Sequence, residues 1–310
     1  MILTLVPNPS LDKVSIVPGF AAGGAFHALQ VRRFPGGKGF HFARALRTLG
    51  ETPLLVCPLG GETGQLVNRL ALDEGFACDF FHSAYETRTG QVIFDPQTWR
   101  ITELYEPGPT FEQDDWQQVA AKVRNHLPES RMLVVCGSIP PGVPDQSVAE
   151  IVRQSAELGC PTLLDTYGPH LAAALAARPA VVKINQHEAG HLLQRVIATP
   201  TAALDAAARI QAAGAQAVVI TLGAQGAVGL SPQGQSFALT TPPVESLFPV
   251  GSGDSFFAGL AFALSKGEPL ARAACWGIAA GCANTLSIGP GVLDKSDVLR
   301  LLDQVQPLDI

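Results

Sequence analysis

The sequence has no CxxC pair, no internal repeat, no low-complexity tract and no apolar run of about 18 residues. The last absence excludes a membrane-spanning helix. Six cysteines, Cys57, Cys78, Cys136, Cys160, Cys275 and Cys282, are scattered, and several sit in apolar runs such as Leu133-Val134-Val135-Cys136. That usage fits buried thiols of a reducing compartment better than a disulfide framework. Positive charge is short as well: 21 Lys and Arg face 27 Asp and Glu, for a net charge of −6. This balance argues against nucleic acid as the main partner, because a phosphate backbone demands a basic footprint. A small phosphate in a locally basic pocket is not excluded. Charged residues of both signs make up 15% of the chain against 47% hydrophobic ones, so a large core is available and disorder is excluded. The sequence opens directly on Ile2-Leu3-Thr4-Leu5-Val6, with no basic leader or cleavage site. These absences together lead us to expect a soluble, cytoplasmic protein that engages neither membrane nor nucleic acid.

What is present alternates. Short β-rich runs over 2–6, 53–57, 132–136, 161–165, 180–183 and 217–221 are separated by Ala/Leu-rich helical patterns. Those patterns fall over 38–49, 64–74, 111–127, 145–158, 169–177 and 201–213. Continuous apolar strands separated by helices predict a mainly parallel sheet covered on both faces. The fold class is α/β, a three-layer doubly wound sheet, with ligands expected beyond the carboxyl ends of the strands. Segments 13–34 and 89–105 break the rhythm with strand-like alternation and no helix between, which predicts a small β-sheet lid. The last third is helical over 252–266, 270–287 and 296–304. No linker interrupts the chain, so residues 1–310 are read as one domain.

The candidate chemistry lies at predicted strand ends. Gly251-Ser252-Gly253-Asp254 opens a helix so apolar that it must be buried nearly all round. Two glycines at a helix start let backbone N–H groups converge on an anion, and Asp254 in the first turn would face it. Asp12, after the first strand, can accept hydrogen bonds from sugar hydroxyls or serve as a turn acid. Gly36-Gly37-Lys38-Gly39 opens a helix but is no Walker A loop, since Gly39 stands where Ser or Thr is required. Arg88 can fork a phosphate. Ser138 and Asp165 follow two further strands, and Thr221, Gly223 and Gly226 follow another. Glycines at the last site permit close backbone approach to a nucleotide, or a plain hairpin that 228–230 and 235–239 complete. His187-Glu188-Ala189-Gly190-His191 satisfies the metalloprotease pattern H-E-x-x-H. Gly190 weakens that helix, however, and no third ligand follows. Glu188 beside the crevice is better placed to hold Mg²⁺ through water.

In this order the segments Asn8-Pro9-Ser10-Leu11-Asp12, Gly36-Gly37-Lys38-Gly39, Thr87-Arg88-Thr89, Thr102-Glu103-Leu104 with Pro107-Gly108-Pro109, Gly137-Ser138-Ile139-Pro140-Pro141-Gly142, Lys183-Ile184-Asn185-Gln186-His187-Glu188, Thr221-Leu222-Gly223 and Gly251-Ser252-Gly253-Asp254 resemble the ribokinase-like carbohydrate kinase family. Within it they are similar to the branch of 1-phosphofructokinases and tagatose-6-phosphate kinases, and the resemblance covers the whole chain. It implies an ATP- and Mg²⁺-dependent kinase of a phosphorylated ketohexose: fructose 1-phosphate, fructose 6-phosphate or tagatose 6-phosphate. By resemblance, Asp254 is the base and Gly251, Ser252 and Gly253 form the anion hole. Asn185 and Glu188 position Mg²⁺, while Lys183, Asn185, Thr221, Gly223 and Gly226 lie on the nucleotide side. Asp12, Gly36, Gly37, His41, Ser138 and Asp165 lie on the sugar side, and Lys38 and Arg88 favour a phosphorylated sugar. A homodimer joined through the lid is also implied. The alternatives are a kinase of an unphosphorylated sugar or nucleoside on the same fold, and a non-catalytic sugar-binding relative.

The sequence departs from the family's pattern at four places. His41 stands where a sugar-binding asparagine is usual. Only His27 offers a basic residue near 25–27, Gly90 replaces an asparagine, and Phe248 replaces a small or polar residue. All but the last fall on the sugar or lid side.

Overall fold

The computed structural model describes residues 1–309. In chain order its strands are β1 (Ile2–Leu5), β2 (Ser10–Ile16), β3 (Gln30–Gly36), β4 (Leu54–Leu59), β5 (Ala77–His82), β6 (Arg88–Asp95) and β7 (Arg100–Tyr105). There follow β8 (Met132–Cys136), β9 (Thr162–Asp165), β10 (Val181–Asn185), β11 (Ala217–Thr221), β12 (Ala227–Leu230) and β13 (Ser236–Leu239). The helices are α1 (Lys38–Leu49), α2 (Gly61–Asp73), α3 (Gln113–His126), α4 (Ser147–Glu157), α5 (Gly168–Leu175), α6 (Gln186–Leu193), α7 (Pro200–Ala212), α8 (Ser252–Ser265), α9 (Leu270–Thr285) and α10 (Lys295–Leu302).

Alternation along single strands explains the layers. In β8, Leu133 and Val135 pack into one apolar cluster, while Met132, Val134 and Cys136 pack into another on the opposite face. In β1, Leu3 and Leu5 join the first cluster and Ile2 the second. A strand buried on both sides needs a helix layer over each. Val119 of α3, Val148 of α4, Leu171 of α5 and Ala203 of α7 cover the first face. Phe42 of α1, Phe257 of α8, Ile278 of α9 and Val298 of α10 cover the second. The nine-stranded sheet runs β13-β12-β11-β10-β9-β8-β1-β4-β5, and only β12 and β13 are antiparallel to their neighbours. This is the expected three-layer α/β architecture.

The second sheet has the order β3-β2-β6-β7, with β2 and β6 parallel and the outer pairs antiparallel. It overlaps the two segments expected to form a lid, although β2 begins earlier, at Ser10, β3 runs on to Gly36, β6 starts at Arg88, and residues 17–29 form no strand. Phe248, the apolar departure, is fully buried in a cluster with Val14, Val92 and Phe94. Its ring meets that of Phe94 edge-on at 6.4 Å, so the chain leading into α8 is packed against the small sheet.

Two expectations need correction. Strand β5 was not anticipated; its six residues show no clean period because it is an edge strand of mixed exposure. Strand β10 also runs on to Asn185, two residues past the expected end, where its capping side chain starts α6.

Candidate active site

Helix α8 is preceded by its N-cap Gly251, whose φ of 83° is left-handed. A Cβ there would fall 2.8 Å from the Gly291 nitrogen and the Pro290 Cα, so glycine is required for both reasons. The first i→i−4 bond of the helix is donated by the Ser255 N–H to the Gly251 carbonyl at 2.9 Å. The amides of Gly253 and Asp254 precede that ladder and are available to an anion, at the positive end of the helix. Buried Asn284 of α9 secures the turn from behind. Its Oδ1 accepts from Ser255 Oγ at 3.0 Å and from the Gly291 N–H at 2.8 Å, and its Nδ2 donates to the Val250 carbonyl at 3.0 Å.

This turn separates two clefts, of about 440 and 410 Å³, and Gly253 lines both. The larger is apolar and contains Thr221, Gly223, Gly226 and Ser252, with Thr241 and Ile278 opposite. The other contains Asp254, Asp12, His41, Lys38, Arg88 and Ser138. Residues at the carboxyl ends of β1, β8 and β11 therefore meet at one helix start, as a doubly wound sheet predicts.

In the polar cleft His41 bridges two carboxylates. Its Nδ1 lies 2.8 Å from Asp254 Oδ2 and its Nε2 lies 2.7 Å from Asp12 Oδ2. Burial alone would lower the imidazole, but hydrogen bonds and charge from Asp12 and Asp254 outweigh it and push it up to about 9. Burial alone would likewise raise the Asp12 carboxyl. His41, Ser10 and the charge of Arg88 hold it below the usual range instead. Gly36 does not line the cleft: a Cβ there would fall 2.1 Å from Asp12 Cγ, so this glycine makes room for the acid. Gly90 does the same, since a Cβ would approach Asp12 Oδ1 at 2.9 Å and the Tyr105 ring at 3.0 Å. Arg88 donates to the Asn8 carbonyl at 3.1 Å, while its buried Nε has no partner.

An ion triad centred on buried Asp165 underlies the turn. Asp165 is 1% exposed and accepts from Lys38 at 2.8 Å and from Lys183 at 2.6 Å. These lysines outweigh burial and hold its carboxyl below the ordinary range. Asp165 therefore positions cations and does not line the sugar side, a correction to the expectation. Lys183, also expected to line the nucleotide side, is buried instead; its Nζ lies 3.4 Å from where a Cβ on Gly253 would sit. Lys38 reaches across to Glu188 at 3.2 Å as well. Asn185 Oδ1 accepts from the His187 and Glu188 amides at 2.9 Å, and Glu188 Oε2 accepts from the Asn185 N–H at 2.9 Å. Asn185 is thus the cap that orients Glu188.

Asp12, Gly37, Lys38, His41, Arg88, Ser138, Gly251, Gly253 and Asp254 line the polar cleft, and Thr221, Gly223, Gly226, Ser252 and Gly253 line the apolar one. His27 is exposed and lies outside both. Three residues of consequence were not assigned roles from sequence: Glu103 and Tyr105, which reach the polar cleft from β7, and Asn284. The two lid residues share strand parity, a usable signal; a lone buried asparagine in an apolar helix offers little.

The sequence pattern of the family described as pfkB family carbohydrate kinase matches residues 10–296. The chain is 30% identical over 302 residues to the ATP-dependent 6-phosphofructokinase isozyme 2 of Escherichia coli, covering 97% of each protein. It is 33% identical to a 1-phosphofructokinase of Rhodobacter capsulatus, covering 93% of this chain and 92% of that protein. The crystal structure of the phosphofructokinase-2 from Escherichia coli in complex with potassium superimposes with a TM-score of 0.90 at 30% identity, covering 98% of each chain.

Proposed function

The chain belongs to the pfkB family of carbohydrate kinases, and from that premise we propose that it transfers the γ-phosphoryl group of ATP to a hydroxyl of a phosphorylated ketohexose. The acceptor is fructose 1-phosphate, fructose 6-phosphate or tagatose 6-phosphate, and Asp254 is the base. The observation that carries this reading is the shared wall. Gly253 borders an apolar cleft suited to ATP and a polar cleft suited to the sugar, and Asp254 stands on the polar side.

The acceptor hydroxyl gives its proton to the Asp254 carboxylate as its oxygen bonds to the γ-phosphorus. The bond from that phosphorus to the bridging oxygen breaks, and its electron pair leaves on ADP. Such a transition state is loose, so alignment and charge neutralisation matter more than base strength. The amides of Gly253 and Asp254 supply donors aimed at the transferred group, and Lys183 adds a cation beside them. Among the described residues no group of three His, Cys, Asp or Glu side chains is disposed to hold a metal ion by itself. Glu188, oriented by Asn185, would be the protein carboxylate that holds Mg²⁺, an ion that prefers oxygen and keeps several waters. When bound, that ion neutralises phosphate charge. The buried, unpartnered Nε of half-buried Arg88 supports recognition of a phosphate on the acceptor, as do the phosphosugar kinases among the relatives.

The lid exposes Val31 and Leu104 on its edge strands β3 and β7, with Leu29 and Trp99 beside them. That apolar rim suits pairing with a second copy into a homodimer. Coupled ADP release over a panel of sugars and sugar phosphates tests the function. Turnover restricted to unphosphorylated acceptors overturns the phosphosugar assignment, and no turnover on any of them overturns the whole reading.

A further inference from the structure

Both nitrogens of the His41 ring face carboxylate oxygens, at 2.7 and 2.8 Å. A neutral imidazole has one N–H and one lone pair. In that form one of the two contacts would set a lone pair against a carboxylate oxygen, unless the carboxyl took up the proton. Only the imidazolium satisfies both contacts with both acids ionised. The ring is 6% exposed, Asp12 is 2% and Asp254 8%, so no bulk solvent stands between the charges to weaken the pairing. The second oxygen of Asp12 is engaged too: its Oδ1 takes the Ser10 hydroxyl at 2.6 Å.

We propose that His41 is a positioning residue that, as an imidazolium clamped between Asp12 and Asp254, pins one oxygen of the base and leaves the other to receive the acceptor proton. This rests on the kinase reading above. A doubly donating ring has no lone pair with which to take a proton, so His41 is not a rival base. The clamp also commits Asp12 to the protein. Each of its oxygens accepts one hydrogen bond, from Ser10 and from His41, so the acid orients the base through the ring. Gly90 fits the same arrangement, because any side chain there would press on Asp12 and Tyr105.

The charge state follows from the surroundings. The groups around the ring are Asp12 on β2, Asp254 on α8, Lys38 on α1, Arg88 on β6, and Glu103 and Tyr105 on β7, with Lys183 on β10 paired to Asp165. Burial and the Glu103 hydrogen bond raise Tyr105 above the ordinary phenol range. Lys38, despite burial, is raised by Asp165, Glu188 and Asp254. His41 therefore loses its proton before either of them, at about 9. Above that pH the clamp opens and the base is no longer held.

The test combines ring titration with kinetics. In wild-type protein labelled with ¹⁵N-histidine, His41 is expected to give two protonated ring nitrogens at neutral pH and to titrate near 9. Asp12→Asn removes one anion and is expected to move that titration to lower pH. The wild-type kcat/KM is expected to fall on the alkaline side with the same midpoint. His41→Asn, shorter and uncharged, is expected to lower kcat roughly 10²-fold through misplacement of the base, to leave the KM for ATP unchanged, and to lose that alkaline limb. A singly protonated ring at neutral pH overturns the proposal, and so does a folded His41→Asn protein with wild-type kcat and an unchanged alkaline limb. The ring titration requires no turnover. If the wild-type protein phosphorylates nothing while the ring reads as an imidazolium, the kinase reading fails and the clamp stands. If His41→Asn does not fold, the titrations of wild type and Asp12→Asn still decide the charge state.

Discussion

Replacing Asp165 with asparagine tests the ion triad beneath the catalytic turn. The change keeps size and one hydrogen-bond acceptor but removes the charge shared by two lysines. Lys183 has a side chain 4% exposed and would be left as an uncompensated buried cation. Breaking such a pair costs about 3–5 kcal/mol. Lys38 is 31% exposed and keeps Glu188, so it adds at most about 1 kcal/mol. An unfolding entropy of about 2.1 cal/mol/K per residue, applied to 310 residues, turns the Lys183 term into a thermal midpoint lowered by ~5–8 °C. The Asp165 carboxyl is held below its unfolded value, so its contribution is present above the ordinary carboxylate range and is lost as pH falls through the folded value. Wild type and variant should therefore converge in acid. Differential scanning fluorimetry across pH reads both effects. The paired change Asp165→Leu with Lys183→Met replaces the ion pair with apolar groups and should recover most of the lost stability. It should not recover turnover, because the cation beside Gly253 is gone. A single-variant loss below about 1 kcal/mol, the worth of a surface pair, would refute the reasoning. Wild-type turnover in the double variant would refute the role given to Lys183.

Gly253→Ala places a methyl group where both clefts meet, without backbone strain; kcat should drop about 10²-fold or more while the thermal midpoint holds, as steady-state kinetics and a melting curve will show. Glu188→Gln keeps the capping box of α6 but weakens the oxygen donor, so half-maximal activity should require about tenfold more Mg²⁺, measured by titrating the metal at fixed ATP. Arg88→Met should raise the KM for the sugar phosphate by at least about tenfold and leave the KM for ATP alone. Equal KM changes for both substrates would remove Arg88 from the acceptor side.

The parts of the fold that read well from sequence are those where one short-range pattern has one physical meaning. Strands β8 and β11 are unbroken apolar runs because helices cover both faces, and their limits matched the structure. Strand β5 failed that test: at the sheet edge, Ala77-Cys78-Asp79-Phe80-Phe81-His82 mixes exposed and half-buried positions and carries no period. The candidate site divides the same way. Ser138 follows β8, where α/β geometry puts ligands, while Asp12 lies on β2, Gly37 and Lys38 join β3 to α1, and Gly251–Asp254 open α8; all reach the clefts. Asp165 ends β9 and Lys183 lies within β10, yet they turn to each other. Their pairing depends on the register of β9 against β10, where Leu164 neighbours Val182, and local sequence does not carry that information. His41 stood out as a departure from the family's pattern. That it spans two acids became visible only once α1, β2 and α8 had been brought together.

The central claim is that Asp254 takes the proton of a phosphosugar hydroxyl as ATP gives up its γ-phosphoryl group. The most direct measurement follows the phosphorylated product by ³¹P NMR with wild type and Asp254→Asn, offering fructose 1-phosphate, fructose 6-phosphate and tagatose 6-phosphate in turn. The account predicts bisphosphate and ADP in equal amounts from at least one acceptor, a loss of about 10²–10⁴-fold in kcat for Asp254→Asn, and unchanged ATP affinity. Near wild-type turnover in the variant, or no bisphosphate from any of the three with the wild-type protein, would contradict it.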